Sequence, residues 1–129
     1  MQSGTDMTID SKATQLIQKL TRATVDKTVS WVKANPPLYF THGTENIVPL
    51  YLQCEYKKKP IGVFEKRYKY FHDELEYSWS TSVGLCILDH SGNLIWEYDE
   101  GSTMLFNLFE LAREQSSGID DILDDLLND

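Results

Sequence analysis

The alternation of apolar and polar positions divides the chain into a helical opening, a long β-patterned middle and a helical end. In "IDSKATQLIQKLTRAT", residues 9–24, Ala13, Leu16, Ile17 and Leu20 recur at helical spacing, with Lys12, Gln15, Lys19 and Arg22 falling largely between them. That spacing predicts an amphipathic helix with one buried stripe. Asp10 or Ser11 is placed to cap its start by accepting a hydrogen bond from an unpaired backbone N–H. "TVSWV", residues 28–32, is β-branched and aromatic and predicts a short first strand. The pair Pro36-Pro37 then excludes helix and central strand, so 34–45 reads as a loop.

From 47 to 98 the period shortens to two. In "PLYLQCEY", Leu50, Leu52, Cys54 and Tyr56 alternate with Tyr51, Gln53 and Glu55, as in a half-buried strand. "KKKP" turns the chain into "VFEKRYKYF", and in "EYSWSTSVGLCILD" Trp79, Thr81, Val83, Leu85 and Ile87 share a face. "HSGN" is a turn with Gly92 available for positive φ, and "LIWEY" returns as a further strand. Between residues 64 and 75 two periods compete, because Phe64, Tyr68, Phe71 and Leu75 also fit a helix. The aromatic and β-branched flanks favour a strand.

Two helices close the chain. Ser102 is placed to cap 103–115, where Leu105, Leu108, Phe109 and Ala112 form a stripe that Met104 and Leu111 widen. Ser116, Ser117 and Gly118 interrupt it. In "SSGIDDILDDLLND" the Ser117/Asp120 pair has capping-box spacing, and Ile119, Ile122, Leu123, Leu126 and Leu127 form a second stripe. Asp120, Asp121, Asp124 and Asp125 fall opposite it. The apolar half must bury against something, and the acidic half must stay wet.

Charge sharpens this picture. The net charge is −8, yet residues 97–129 hold ten acids against the single base Arg113, while the first 96 residues hold ten acids and eleven bases. The acidity therefore belongs to the C-terminal segment and bears on its partners. At 129 residues, with 41% hydrophobic and 12% aromatic content, the chain has the makings of a globular domain. "MQSGTDM", residues 1–7, lacks periodicity and reads as a cloning remnant, leaving 8–129 as a single domain. No apolar run approaches the roughly eighteen residues of a membrane span. Cys54 and Cys86 sit in apolar runs without CxxC spacing, as buried free thiols of a reducing compartment do, which suggests cytoplasm.

Catalytic signatures are thin. His42, His72 and His90 lie in loops or strand ends without zinc spacing. There is no G-x-S-x-G elbow, P-loop or dinucleotide fingerprint. "HDELE", with His72, Asp73, Glu74 and Glu76, is what any polar turn offers. "DHSGNLIWEYDE", Asp89 to Glu100, resembles a calcium loop, but its sixth position is Leu94 where a glycine must turn. On a helix, aspartates at i, i+1, i+4 and i+5 point outward and do not close an oxygen shell. We therefore expect no catalytic residue, no metal and no cofactor. The stretch holding Lys57, Lys58, Lys59, Lys66, Arg67 and Lys69 carries half the basic residues, with Tyr68 and Tyr70 among them. Interleaved cations and rings on a sheet are one way to bind single-stranded nucleic acid, and lysines also protect sheet edges.

The order "LIQKLTRATVDKTVSWV", then "LCILDHSGNLIWEY", then "LFNLFELAREQSSGIDDILDDLL" resembles a pattern of small bacterial and phage α+β proteins without a named activity. The resemblance spans residues 9–127, implies fold and origin, and transfers no functional residue. The expected architecture is α+β, with an N-terminal helix, an antiparallel meander of about five strands, and two C-terminal helices on one sheet face. Aromatics fall on both sheet faces (Tyr51 and Tyr56, Tyr70 and Phe71, Trp79, Trp96), so the second face is expected to meet a partner. The expected function is a non-enzymatic cytoplasmic interaction module of accessory, immunity or inhibitor type. It would act through that face or through Asp120, Asp121, Asp124 and Asp125. A homodimer joining the basic hairpin to the acidic helix is compatible with this, and a nucleic-acid-associated protein using 57–69 is the alternative.

Overall fold

A computed structural model describes residues 8–128, so the N-terminal remnant inferred at 1–7 lies outside the described residues. The chain runs α1 (Ile9–Val25), β1 (Val32–Lys33), a 3₁₀ turn (Leu38–Phe40), β2 (Ile47–Tyr56), β3 (Lys59–Phe71), β4 (Tyr77–Leu88), β5 (Leu94–Tyr98), α2 (Thr103–Ser117) and α3 (Ile119–Leu127). The five strands pair antiparallel in sequence order as one meander. Helices cover one sheet face, giving the α+β architecture the sequence pattern implies.

Each helix follows its apolar stripe. In α1, Ala13, Ile17, Leu20, Ala23 and Thr24 are buried, and Leu16 packs against the core from its edge. Its cap is neither Asp10 nor Ser11. Thr8 Oγ1 accepts from the Ser11 N–H at 3.1 Å, which starts the helix at Ile9 and leaves Asp10 in the first turn, where its charge suits the helix dipole. In α2, Ser102 Oγ accepts from the Leu105 N–H at 3.2 Å, and Leu105, Leu108, Phe109 and Ala112 are all buried. These helices clamp Leu52, Cys54, Ile61, Val63 and Leu85 of the sheet beneath them.

The first strand is shorter than "TVSWV" suggests. Only Val32 and Lys33 pair, with Gln53 and Leu52, because the preceding backbone is held by a helix side chain instead. Gln115 of α2 accepts the Trp31 N–H at 2.7 Å and donates to the Val29 carbonyl at 2.9 Å, while the Trp31 indole donates to Thr24 Oγ1 at 2.9 Å. A buried backbone group needs some partner, and here one amide serves two. Gln115→Leu should strand both and destabilise the fold by about 1–3 kcal/mol in a urea melt. An unchanged midpoint would show that neither bond matters.

The 64–75 ambiguity resolves as strand. Residues 61–71 of β3 all pair with β4, and the turn spans 72–76. The second face is partly roofed by the 34–46 loop, whose 3₁₀ turn sets Phe40 against Phe64 with ring centroids 4.4 Å apart. Tyr51, Phe64, Cys86 and Leu88 are buried there. Gly62 and Gly84 make this possible, since a Cβ at either would strike the ring lying over it, Tyr51 and Phe64 respectively.

Candidate functional site

Gly118 ends α2 with φ of +68°, a left-handed conformation that costs glycine nothing, and the chain restarts at once as α3. The expected capping box does not form. Ser117 Oγ accepts from the Ile119 N–H at 3.2 Å and donates to the Glu114 carbonyl at 2.8 Å, serving the break itself. Gly118 occupies the cap position without a side-chain bond. Asp120 and Asp121 stand in the first turn, where the helix dipole favours them.

The stripe of α3 is present, but it is not buried. No residue of this helix is buried, and Leu126 and Leu127 keep 75% and 80% of their surface in water. Ile119 and Leu123 border an open cleft whose far side is Val29 and Trp31. The expectation that the apolar half of this helix is buried is therefore corrected within the chain. α2 packs on β2, β3 and β4, and α3 packs against α2 with its stripe exposed. Oxygens of Asp120, Asp121 and Asp124 come within 4.8 Å of one another, all exposed, and Asp125 is not among them. Exposed acidic groups commonly gather in this way without an ion.

The basic stretch divides into separate neighbourhoods. Lys57 and Lys58 form the β2–β3 turn with Lys59 opening β3, whereas Lys66, Arg67 and Lys69 lie several residues further along the strand. Lys66 pairs with Glu97 at 3.3 Å and Asp99 at 3.5 Å on the second face. Lys69 pairs with Glu45 at 2.6 Å, and that hydrogen bond is the main cause holding its ammonium above the ordinary range. Alternation puts Tyr68 and Tyr70 on the face of Lys66, and Arg67 on that of Lys69.

The aromatic face proves local as well. Tyr51 is buried, and Tyr56 and Trp96 pack against the helix-side core. The exposed rings gather at the far end of the β3–β4 hairpin. Phe71, Tyr77 and Trp79 follow one another at 5.5 and 6.5 Å between centroids, with the Lys69 ammonium 4.4 Å from the Tyr77 ring centre. Tyr77 escaped the sequence reading because the cross-strand register that seats it opposite Phe71 is not visible in a single strand.

A third feature was equally hidden. The polar side of α1 meets the β2–β3 turn, so Lys12 and Lys19 share a groove with Lys57 and Lys59 over Leu16, Tyr56, Ile61 and Ile87. The helical period marked α1's lysines as solvent-facing, but only packing shows which turn they face.

Groups with latent chemistry are quiet. Cys54 and Cys86 are free and buried, and burial pushes their thiols up to about 12 and about 11. Neither is a nucleophile at neutral pH. The β4–β5 turn falls at "HSGN" as the sequence suggested, with Gly92 at φ of +88°, and Asp89 organises it. Its carboxylate accepts the Ser91 and Asn93 N–H groups at 2.9 and 2.8 Å. The Asn93 N–H is the largest cause lowering its pKa from 3.8. A lowered pKa means the turn's preference for the ionised form is complete above the ordinary value and is lost as pH falls through the lowered one. A carboxyl-carbon NMR titration should therefore show Asp89 titrating below the ordinary aspartate value. Titration at that value would refute the turn bonding.

Among the described residues no helix is long and apolar enough to cross a membrane. Comparisons with protein-family models, with curated proteins and with solved structures find no match for this chain.

Proposed function

We propose that this protein is a non-enzymatic interaction module of accessory, immunity or inhibitor type, and that α3 is its docking element. One observation carries the reading. A helix with a continuous apolar stripe and an acidic back buries none of its residues. Isolated helices of nine residues are marginal in water, and most helical stability in proteins comes from packing an apolar face. Such a face presented to solvent is the form in which amphipathic helices enter the grooves of partners. The four aspartates keep the free helix soluble and bias it toward basic surfaces.

The nucleic-acid alternative draws on the ring row Phe71, Tyr77 and Trp79, which offers stacking surface. Its cations serve it poorly, since Lys66 and Lys69 are already paired with carboxylates. Docking through α3 is the reading we adopt. Its test is to replace Leu123, Leu126 and Leu127 with serine. Folding should be unaffected and association with any protein partner lost, whereas association surviving in the folded variant would refute it.

A further inference from the structure

The groove beside α1 joins an apolar floor to a cationic rim. Its floor is apolar (Leu16, Tyr56, Ile61 and Ile87), and its rim carries Lys12, Lys19, Lys57 and Lys59. It continues past Lys19 and Tyr56 toward Arg22 and the end of α1. Among the described residues Asp26 is the one carboxylate lining this run, against five cations. From Lys12 to Asp26 the helix rises about 21 Å. An occupant should therefore be elongated, apolar on one side, acidic on its flanks and no longer than a few helical turns.

The chain itself carries such a segment. α3 has nine residues and a length of about 14 Å. Its stripe of Ile119, Ile122, Leu123, Leu126 and Leu127 is exposed, and at about 100° per residue Asp120 and Asp125 flank that stripe on either side. No residue of α2 or α3 lines the groove of the same chain, because α3 leaves α2 on the Val29–Trp31 side. We propose that α3 of one copy docks, apolar face down, in the groove between α1 and the β2–β3 turn of a second copy. The lysine rim then meets the flanking aspartates. This rests on the reading of α3 as a docking element and names its partner. The two surfaces differ, so the contact either closes reciprocally as a two-fold pair or propagates head to tail.

Charge exchange tests it. Mass is followed by light scattering across protein concentration at low and high salt, for the wild type, a groove variant (Lys12→Glu with Lys19→Glu) and a helix variant (Asp120→Lys with Asp125→Lys). All four positions are exposed, so both variants should keep the fold, the helix variant losing only the favourable dipole interaction of Asp120 at the start of α3. The wild type should associate at low salt and dissociate at high salt. Each variant alone should associate at least about tenfold more weakly, and the two mixed should recover association, since the reversed charges again complement each other. A wild type that stays monomeric throughout, or folded variants that fail to rescue each other, would overturn the self-docking. The leucine-to-serine variant separates this from the broader reading. If it loses a different protein partner while the wild type remains monomeric, only the second-copy assignment falls. If association survives without those leucines, the role of α3 falls with it.

Discussion

Replacing Phe64 with alanine is expected to remove about 3–5 kcal/mol of stability, a large fraction of what a domain this size possesses. The ring is fully buried on the second sheet face, where it bridges Phe40 and Tyr51 at centroid distances of 4.4 and 6.3 Å. Its loss opens a void and also removes the anchor by which the 34–46 loop roofs the sheet. Gly84 supplies a control. The Phe64 ring occupies the space a Cβ at position 84 would need, so Gly84→Ala alone should overpack the face and cost about 1–3 kcal/mol. In the Phe64→Ala background that methyl enters vacated space, and the double variant should be clearly more stable than the sum of the singles implies. Additive urea-melt energies would mean that ring and glycine do not share the site.

Serine at Leu123, Leu126 and Leu127 should produce the opposite profile. These side chains touch water over half or more of their surface in the last two cases and nearly half in the first. Substitutions away from buried features usually stay within about 0.5 kcal/mol of neutral each. Apolar anchors that fill a partner's groove, by contrast, dominate binding, so affinity should fall by roughly 100-fold or more. The two readouts, melting and binding, must therefore separate. If the melting midpoint drops with the binding, the leucines are part of the fold after all and α3 is an ordinary closing helix.

What the sequence revealed and what it hid divide along a physical line. Period and turn chemistry are local, so the buried stripes of α1 and α2, the alternation of Leu52 and Cys54 against Tyr51, and the HSGN turn with its positive-φ Gly92 could all be read directly. Which surface a periodic face meets is not local. The stripe of α3 is as regular as that of α2, yet Leu105, Leu108, Phe109 and Ala112 of α2 are buried and no residue of α3 is. The same limit hid the shortening of β1, where a single amide, Gln115, replaces strand pairing across 84 and 86 residues of chain. It also made one basic hairpin out of lysines that the strand length and the Glu45, Glu97 and Asp99 pairings keep apart. The groove that joins Lys12 and Lys19 to Lys57 and Lys59 requires the packing of α1 on the sheet, which no pattern within either segment reports.

The most direct measurement places a photo-crosslinking side chain at Leu126 in the purified protein and identifies what it reaches. Docking of α3 on a second copy requires a product of twice the chain mass whose crosslinked peptide contains α1 or the β2–β3 turn of the second chain. Crosslinks confined to the same chain, at the Val29–Trp31 side of the cleft, would contradict it.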